Sequence, residues 1–443
     1  MAGVPLLSRL RALAIDLGPL RRHRDFRLRT IASSVSGFGS VCTMIAVPIQ
    51  LKRLTDSTVA VGLVGAAEFV PIVVVGLLGG AIADRFDRRT VVLWSELAAL
   101  ASTILLLWNA FLHRPQLWLI YVVAALAVSA GSMQRPSLDA MLPRYVPHAD
   151  IPAASMLNSQ SYGLAFVLGT IVGGVVASAD VRWAYAIDVV SFALSLLVFL
   201  RMTPLPRLVQ ELVPGVRATL ASVGEGVRYA AGRKDLLGTY LIDTIAMMTA
   251  MPTALFPFFA VVLHQPHAVG LLYAADSLGG LLAGAFSGWV VRVHRHGLAI
   301  ILAAIGWGLS MLLAGLMPNL VLALVFLAGA GAADMVSGVF RATIWDQTIP
   351  DELRGRLAGI ELLSYSIGPT LGNARAGLMA VRSVRFSISA GGALCVGGVA
   401  LAGLLLPRFR RYDGRTDEHA VAERRRRAER DAAHADPIPD AST

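Results

Sequence analysis

Long apolar runs, following one another along most of the chain, constrain it more than any other feature. They cover roughly residues 28–51, 59–83, 90–112, 117–141, 152–177 and 181–200, then 236–263, 268–291, 297–317, 320–341, 357–381 and 386–406. Each is about as long as the ~20 residues a helix needs to cross roughly 30 Å of hydrocarbon. In lipid every backbone N–H and C=O must be satisfied within the fold, and continuous apolar runs of this length achieve that as helices. With 56% hydrophobic and 15% charged residues and a mean hydropathy of +0.64, the chain is unlike a water-soluble domain. The expected class is an all-α membrane protein: twelve transmembrane helices in two pseudo-symmetric six-helix bundles.

Charge orients these helices. With both termini inside, six of the 39 basic residues lie in outer loops: Lys52, Arg53, Arg114, Arg182, Arg382 and Arg385. Arg135, Arg341 and Arg375 lie in or at the ends of spans, and the rest are in inner segments. The positive-inside rule then puts both termini in the cytoplasm. The implied order is a cytoplasmic tail (1–27), a first bundle (28–200), a linker (201–235), a second bundle (236–406) and a disordered polar tail (407–443). Residues 1–27 lack a clean apolar stretch with a cleavage site, so they read as a retained tail. The linker opens with Pro204, Pro206 and Pro214 and continues as a helix-like stretch at 218–231. The basic run at 424–427 either holds anionic headgroups or only reinforces topology.

Several function classes drop out. The net charge of +10 does not mark a nucleic-acid partner, because the arginines follow topology and form no single basic face. Cys42 and Cys395 fall in separate spans and suggest neither a disulfide framework nor a zinc site. The chain has no Gly-x4-Gly-Lys-Ser/Thr loop, no His-Glu-x-x-His and no Gly-x-Ser-x-Gly elbow. No catalytic residue, metal or cofactor is expected, and energised transport would draw on an ion gradient.

Between the second and third runs lies a charged turn, Gly80-Ala-Ile-Ala-Asp84-Arg85-Phe86-Asp87-Arg88-Arg89. Its Gly-x-x-x-Asp-Arg-x-x-Arg-Arg pattern resembles the signature loop of the major facilitator superfamily of transporters, with Asp87 where that family usually has glycine. Asp84 can accept from a neighbouring helix N-terminus, and Arg85, Arg88 and Arg89 can pair with carboxylates at helix ends. Asp139, four residues after Arg135 near the inner end of the fourth span, is the nearest such partner. The resemblance implies a latch that closes and opens between the two halves. Alternatively, the arginines only enforce topology. Residues 46–62, Gly270-Leu-Leu-Tyr-Ala-Ala and the loop itself are similar to bacterial enterobactin exporters and related drug-efflux permeases.

Buried ionisable residues are costly in lipid and so mark function. Glu68 stands roughly 14 Å into the second span at about 1.5 Å rise per residue. The offset that carries Gly80 onto Gly288 at the end of the eighth span carries Glu68 onto Asp276. Both are candidate proton or substrate carboxyls, as are Asp243 in the seventh span and Asp334 in the tenth. The resemblance implies that those two spans line a central cavity. Glu96 and Asp188 lie nearer span ends, where interfacial water would reach them and a structural role suffices. Pro252 and Pro257 should kink the seventh span. Met247, Met248 and Met251, with Phe256, Phe258 and Phe259, would suit a bulky amphipathic cargo, or are ordinary core. Gly163, Gly169, Gly173 and Gly174 in the fifth span resemble an antiporter motif, with Thr170 in place of its proline; close helix packing explains them equally.

The resulting expectation is a monomeric transporter of the bacterial cytoplasmic (inner) membrane. It would export a small organic molecule, a siderophore such as enterobactin or a drug, by alternating access against inward proton flow. Its partners would be that substrate, protons and the lipid bilayer. Alternatives are proton-coupled uptake, a passive channel and a membrane-embedded lipid-handling protein.

Overall fold

The computed structural model describes residues 17–83, 86–204, 224–225, 228–350 and 366–435. Among these residues there is no strand, and 11 helical spans are long and apolar enough to cross a membrane. They are α1 (Arg24–Thr55), α2 (Thr58–Ala83), α3 (Arg88–Phe111), α4 (Leu117–Tyr145), α5 (Ile151–Ala179) and α6 (Val181–Leu200), then α7 (Lys234–Ala250) with α8 (Phe256–Val262), α9 (Val269–Ala285), α10 (His296–Leu316), α11 (Leu320–Thr348) and α13 (Val384–Leu405). The helix at 366–379, α12, is the described part of the run expected at 357–381. Most of the expected linker and the two extreme ends lie outside the described residues.

Polar side chains set several helix starts. Asp180 accepts the Arg182 N–H at 2.9 Å to open α6, and Asn319 accepts the Leu322 N–H at 3.0 Å to open α11. The seventh span is broken as its prolines suggest. α7 ends at Ala250, a 3-10 turn covers Thr253–Leu255, and α8 begins at Phe256. Pro252 cannot donate to the helix ladder, and just past the break Asn373 on α12 offers an acceptor to the residues that follow it. Its Oδ1 accepts the Ala254 N–H at 2.9 Å and the Thr253 hydroxyl at 3.0 Å.

The chain forms two compact units. The first is Met1–Val216 with Phe256–Ala274; the second is Arg217–Leu255 with Ala275–Thr443. The split therefore differs from two simple sequence halves, because the short stretch around α8 packs in the first unit on α1 and α5. Glycine makes this possible: a Cβ on Gly174 would lie 2.0 Å from the Gly270 Cα. In the same helix, a Cβ on Gly169 would meet the Val41 side chain at 2.8 Å, and one on Gly173 the Cys42 Cα at 2.7 Å. Gly163 is half-buried. Gly169, Gly173 and Gly174 are thus points of close helix approach.

A polar seam runs through the first unit where α1, α3 and α6 meet. Glu96 is fully buried and accepts from Gln134 at 2.6 Å and Ser195 at 2.5 Å. Asp188, also buried, accepts from the hydroxyls of Thr43 (2.6 Å), Thr103 (3.1 Å) and Ser191 (3.3 Å). The interfacial water expected for both is replaced by these hydroxyl and amide donors.

In the second unit α10 packs against α11 and α13, and α7 against α10 and α13. The tail at 407–443, expected to be disordered, is helical at Pro407–Arg410 and again at Glu418–Ala435 (α14). Buried Phe409 seats against two glycines, Gly238 and Gly297, where any Cβ would collide with it. Tyr412 donates to Gln347 at 3.3 Å, and Arg427 to the Asp346 carbonyl at 2.7 Å near the end of α11. Two aromatic anchors and carbonyl-capping arginines offset the low apolar content of the tail.

Candidate transport site

α11 places Asp334, Ser337 and Arg341 on one face, at i, i+3 and i+7. Opposite this face, α7 brings Asp243, and the two helices share an ion pair between Arg341 Nη1 and Asp243 Oδ1. Arg341 Nη2 lies 3.8 Å from Asp334 Oδ1, too far for a hydrogen bond. The three acidic and basic groups differ in burial. Asp243 and Arg341 are buried, whereas the Asp334 side chain is 44% exposed. A cavity opens beside them, lined by Asp243, Met247, Trp307, Asp334, Ser337 and two alanines.

Asp276 approaches from α9. A Cβ on Gly331 would lie 1.7 Å from the Asp276 carbonyl oxygen, and one on Gly279 1.8 Å from that of Ala328. Only glycines allow α9 and α11 to come so close. Asp334 sits one turn beyond Gly331, within electrostatic reach of Asp276. Asp276 is half-buried, and its carboxyl has no hydrogen-bond or ion-pair partner among the described residues. Two of the four candidate carboxyls, Asp243 and Asp334, thus flank one arginine, and a third, Asp276, stands within electrostatic reach of Asp334. Glu68 is half-buried within α2, in the first unit, also without a described partner.

Arg341 was missed as a site residue, although its seven-residue spacing from Asp334 was a readable signal. The methionine and phenylalanine cluster divides. Met247 lines the cavity, while Phe256, Phe258 and Phe259 are buried core of the first unit. Phe256 packs edge-on to Tyr273 with ring centroids 4.8 Å apart, and Lys52 sits over the Phe258 ring.

The charged turn is partly visible. Gly80 lies in the last turns of α2, and Asp84 and Arg85 lie outside the described residues. Asp87, at the family's glycine position, is the N-cap of α3: its backbone is extended (φ −60°, ψ 126°) and its carboxylate accepts the Arg89 N–H at 3.0 Å. Arg89 donates to the Leu200 carbonyl at the end of α6 at 2.9 Å, and Arg88 is half-buried. Asp139 pairs instead with Arg29 of α1, at 3.7 Å. Arg29 is 1% exposed, and it also donates to the Leu138 carbonyl (3.1 Å) and Asn158 (2.8 Å). It ties α1 to α4 and α5. Arg135, on α4, is exposed. At the symmetry-related end of α9, Gly288 falls in a 3-10 turn, Ser287–Arg292, rather than in the helix.

The family model described as transmembrane secretion effector matches residues 14–429. The chain belongs to this family. It is a member of the major facilitator superfamily, a multi-pass membrane transporter and not an enzyme. Among curated relatives of this transporter, the enterobactin exporter EntS of Citrobacter koseri is 28% identical over 90% of the chain and 95% of its own length. That of Shigella boydii is 30% identical over the same shares. Two solved structures share the fold. The xylose transporter XylE from E. coli, in an inward open conformation, superposes with a TM-score of 0.67 at 14% identity, covering 90% of this chain and 98% of its own. The nucleoside transporter NupG gives 0.61 at 13%, covering 86% and 98%.

Proposed function

We propose that this transporter is a secondary active exporter of a small organic molecule, working by alternating access in exchange for inward-moving protons. The observation that carries this reading is the pair of carboxyls Asp243 and Asp334 beside Arg341 at a small cavity, with Asp276 within electrostatic reach of Asp334, in otherwise apolar helices. Incompletely paired carboxyls are costly in hydrocarbon and are retained where they bind protons or cargo. A proton and a cargo that use the same carboxyls exclude one another, which couples their opposite movements. Each then shifts the conformational equilibrium only by its differential affinity for the two states.

Glu68 is a second proton or substrate candidate. The turn carrying Gly80, Asp84, Arg85, Arg88 and Arg89 acts as the inner latch, with Arg135 and Asp139 at its side. The 30% identity to proteins named enterobactin exporters favours a siderophore or a drug-like molecule as cargo. The transporter works as a monomer in the bacterial cytoplasmic membrane, with both termini inside.

Cells with and without the protein, compared for intracellular siderophore and drug content, test the direction. Lower content in cells that carry it is expected; higher content would make it an uptake system. In inside-out vesicles, an imposed proton gradient should drive cargo inward, and Asp276→Asn should abolish this while the protein still inserts. Unimpaired gradient-driven transport by that variant would remove Asp276 from the proton path.

A further inference from the structure

We propose that this transporter holds the headgroup of an anionic phospholipid on arginines that its docked tail brings against the start of α10. Arg292 and Arg295 come from one stretch, Arg408 and Arg411 from the other. The proposal concerns the lipid and is independent of cargo and coupling ion. Packing of the tail creates the patch. The Gly414 N–H donates to the His294 carbonyl at 3.0 Å, and Arg415 donates to the His294 ring, 121 residues away in sequence. A Cβ on Gly297 would collide with the Phe409 carbonyl oxygen. Residues 292–297 carry two arginines and residues 407–415 carry four, against the single acid Asp413.

Arg292, Arg295, Arg408 and Arg411 are exposed, and none of the four side chains has an acid or carbonyl partner among the described residues. Their neighbours place them at the edge of the hydrocarbon. Leu401, Leu404 and Leu405, in the last turns of α13, are each more than half exposed, and Phe286 and Trp289 are exposed ahead of Arg292. Leucines turned outward at the end of a membrane span face acyl chains, and an exposed tryptophan there sits at headgroup level. Arg408 follows Leu405 by three residues, as Arg292 follows Trp289, which is within reach of a lipid phosphate. The guanidinium fork matches phosphate oxygens. The more obvious basic run on α14 is already committed. Arg424 donates to the carbonyls of Gly414 (2.8 Å) and Arg415 (2.9 Å), Arg425 pairs with Glu429 at 2.8 Å, and Arg427 pairs with buried Glu423 at 3.3 Å. Charge content singles out α14, whereas the contacts leave the other four arginines open to a headgroup.

The test uses the full-length protein in a mild non-ionic detergent at low ionic strength. Its probes are fluorescent phosphatidylglycerol and phosphatidylcholine with the same acyl chains. The wild-type chain should bind the phosphatidylglycerol about tenfold or more tightly. Arg408→Gln with Arg411→Gln should reduce that preference about fivefold or more, and Arg408→Lys with Arg411→Lys should retain most of it. Arg425→Gln with Arg426→Gln should leave it unchanged. Equal binding of the two lipids by the wild-type chain would overturn the proposal, and that comparison needs no variant to fold. A loss confined to the α14 variant would overturn it too, by moving the site to the basic run. Inorganic phosphate, added at the concentration of the bound lipid, should not displace it. Displacement would mark a site for free anions and overturn the lipid assignment.

Discussion

Glu96 and Asp188 in the first unit, and Asp276 and Asp334 in the second, are all carboxyls set among apolar helices. Their surroundings are opposite. Every carboxylate oxygen of Glu96 and Asp188 accepts a hydrogen bond from a hydroxyl or amide, and neither residue is more than 1% exposed. Asp334 has one loose contact to an arginine, Asp276 has none among the described residues, and a cavity lies alongside Asp334. Burial alone thus does not identify a working acid in a membrane. A fully satisfied network rigidifies the bundle, whereas an unsatisfied group beside open space is free to exchange its partner.

The largest effect should come from removing the charge of the unsatisfied acids. Asp276→Asn or Asp334→Asn should lower gradient-driven transport by about tenfold or more, with thermal unfolding nearly unchanged, because neither loses a strong contact. Gly331→Ala comes next. Its methyl would collide with the Asp276 carbonyl oxygen, separating α9 from α11. It should cost about 1–3 kcal/mol and reduce transport with it, read by unfolding and flux on the same preparation.

Asp188→Ala should show the reverse signature. Leaving the Thr43, Thr103 and Ser191 hydroxyls without their acceptor should cost about 1–3 kcal/mol, while transport per folded molecule persists. Loss of transport at wild-type stability would erase the distinction between the two regions. The smallest change is expected for Arg427→Gln, which removes one cap from the end of α11. About 1 kcal/mol or less should be lost, with flux unaffected.

Much of the fold could be read from residue order because a bilayer leaves an apolar run few options. The helices, their approximate ends and the break at Pro252 all follow from local chemistry. The tail misled because its polarity argues for disorder, while its order rests on Phe409 and Tyr412 finding glycine and glutamine far away in sequence. The site was legible in part. Asp243, Asp276 and Asp334 stood out as acids within apolar runs. Their convergence did not, since Asp243 and Arg341 lie on separate helices. The same limit hid Arg29, a buried cation whose three partners come from α4 and α5. It also concealed which donors satisfy Glu96 and Asp188, since these come largely from other helices rather than from interfacial water.

The most direct test compares Asp276→Asn with Asp188→Asn in proteoliposomes of known orientation, reading cargo flux driven by an imposed proton gradient per folded transporter. Loss of driven flux in the first variant and near wild-type flux in the second is the result expected here. Equal flux in the two variants, or the opposite order, would contradict the assignment of the exchangeable role to Asp276 and the structural role to Asp188.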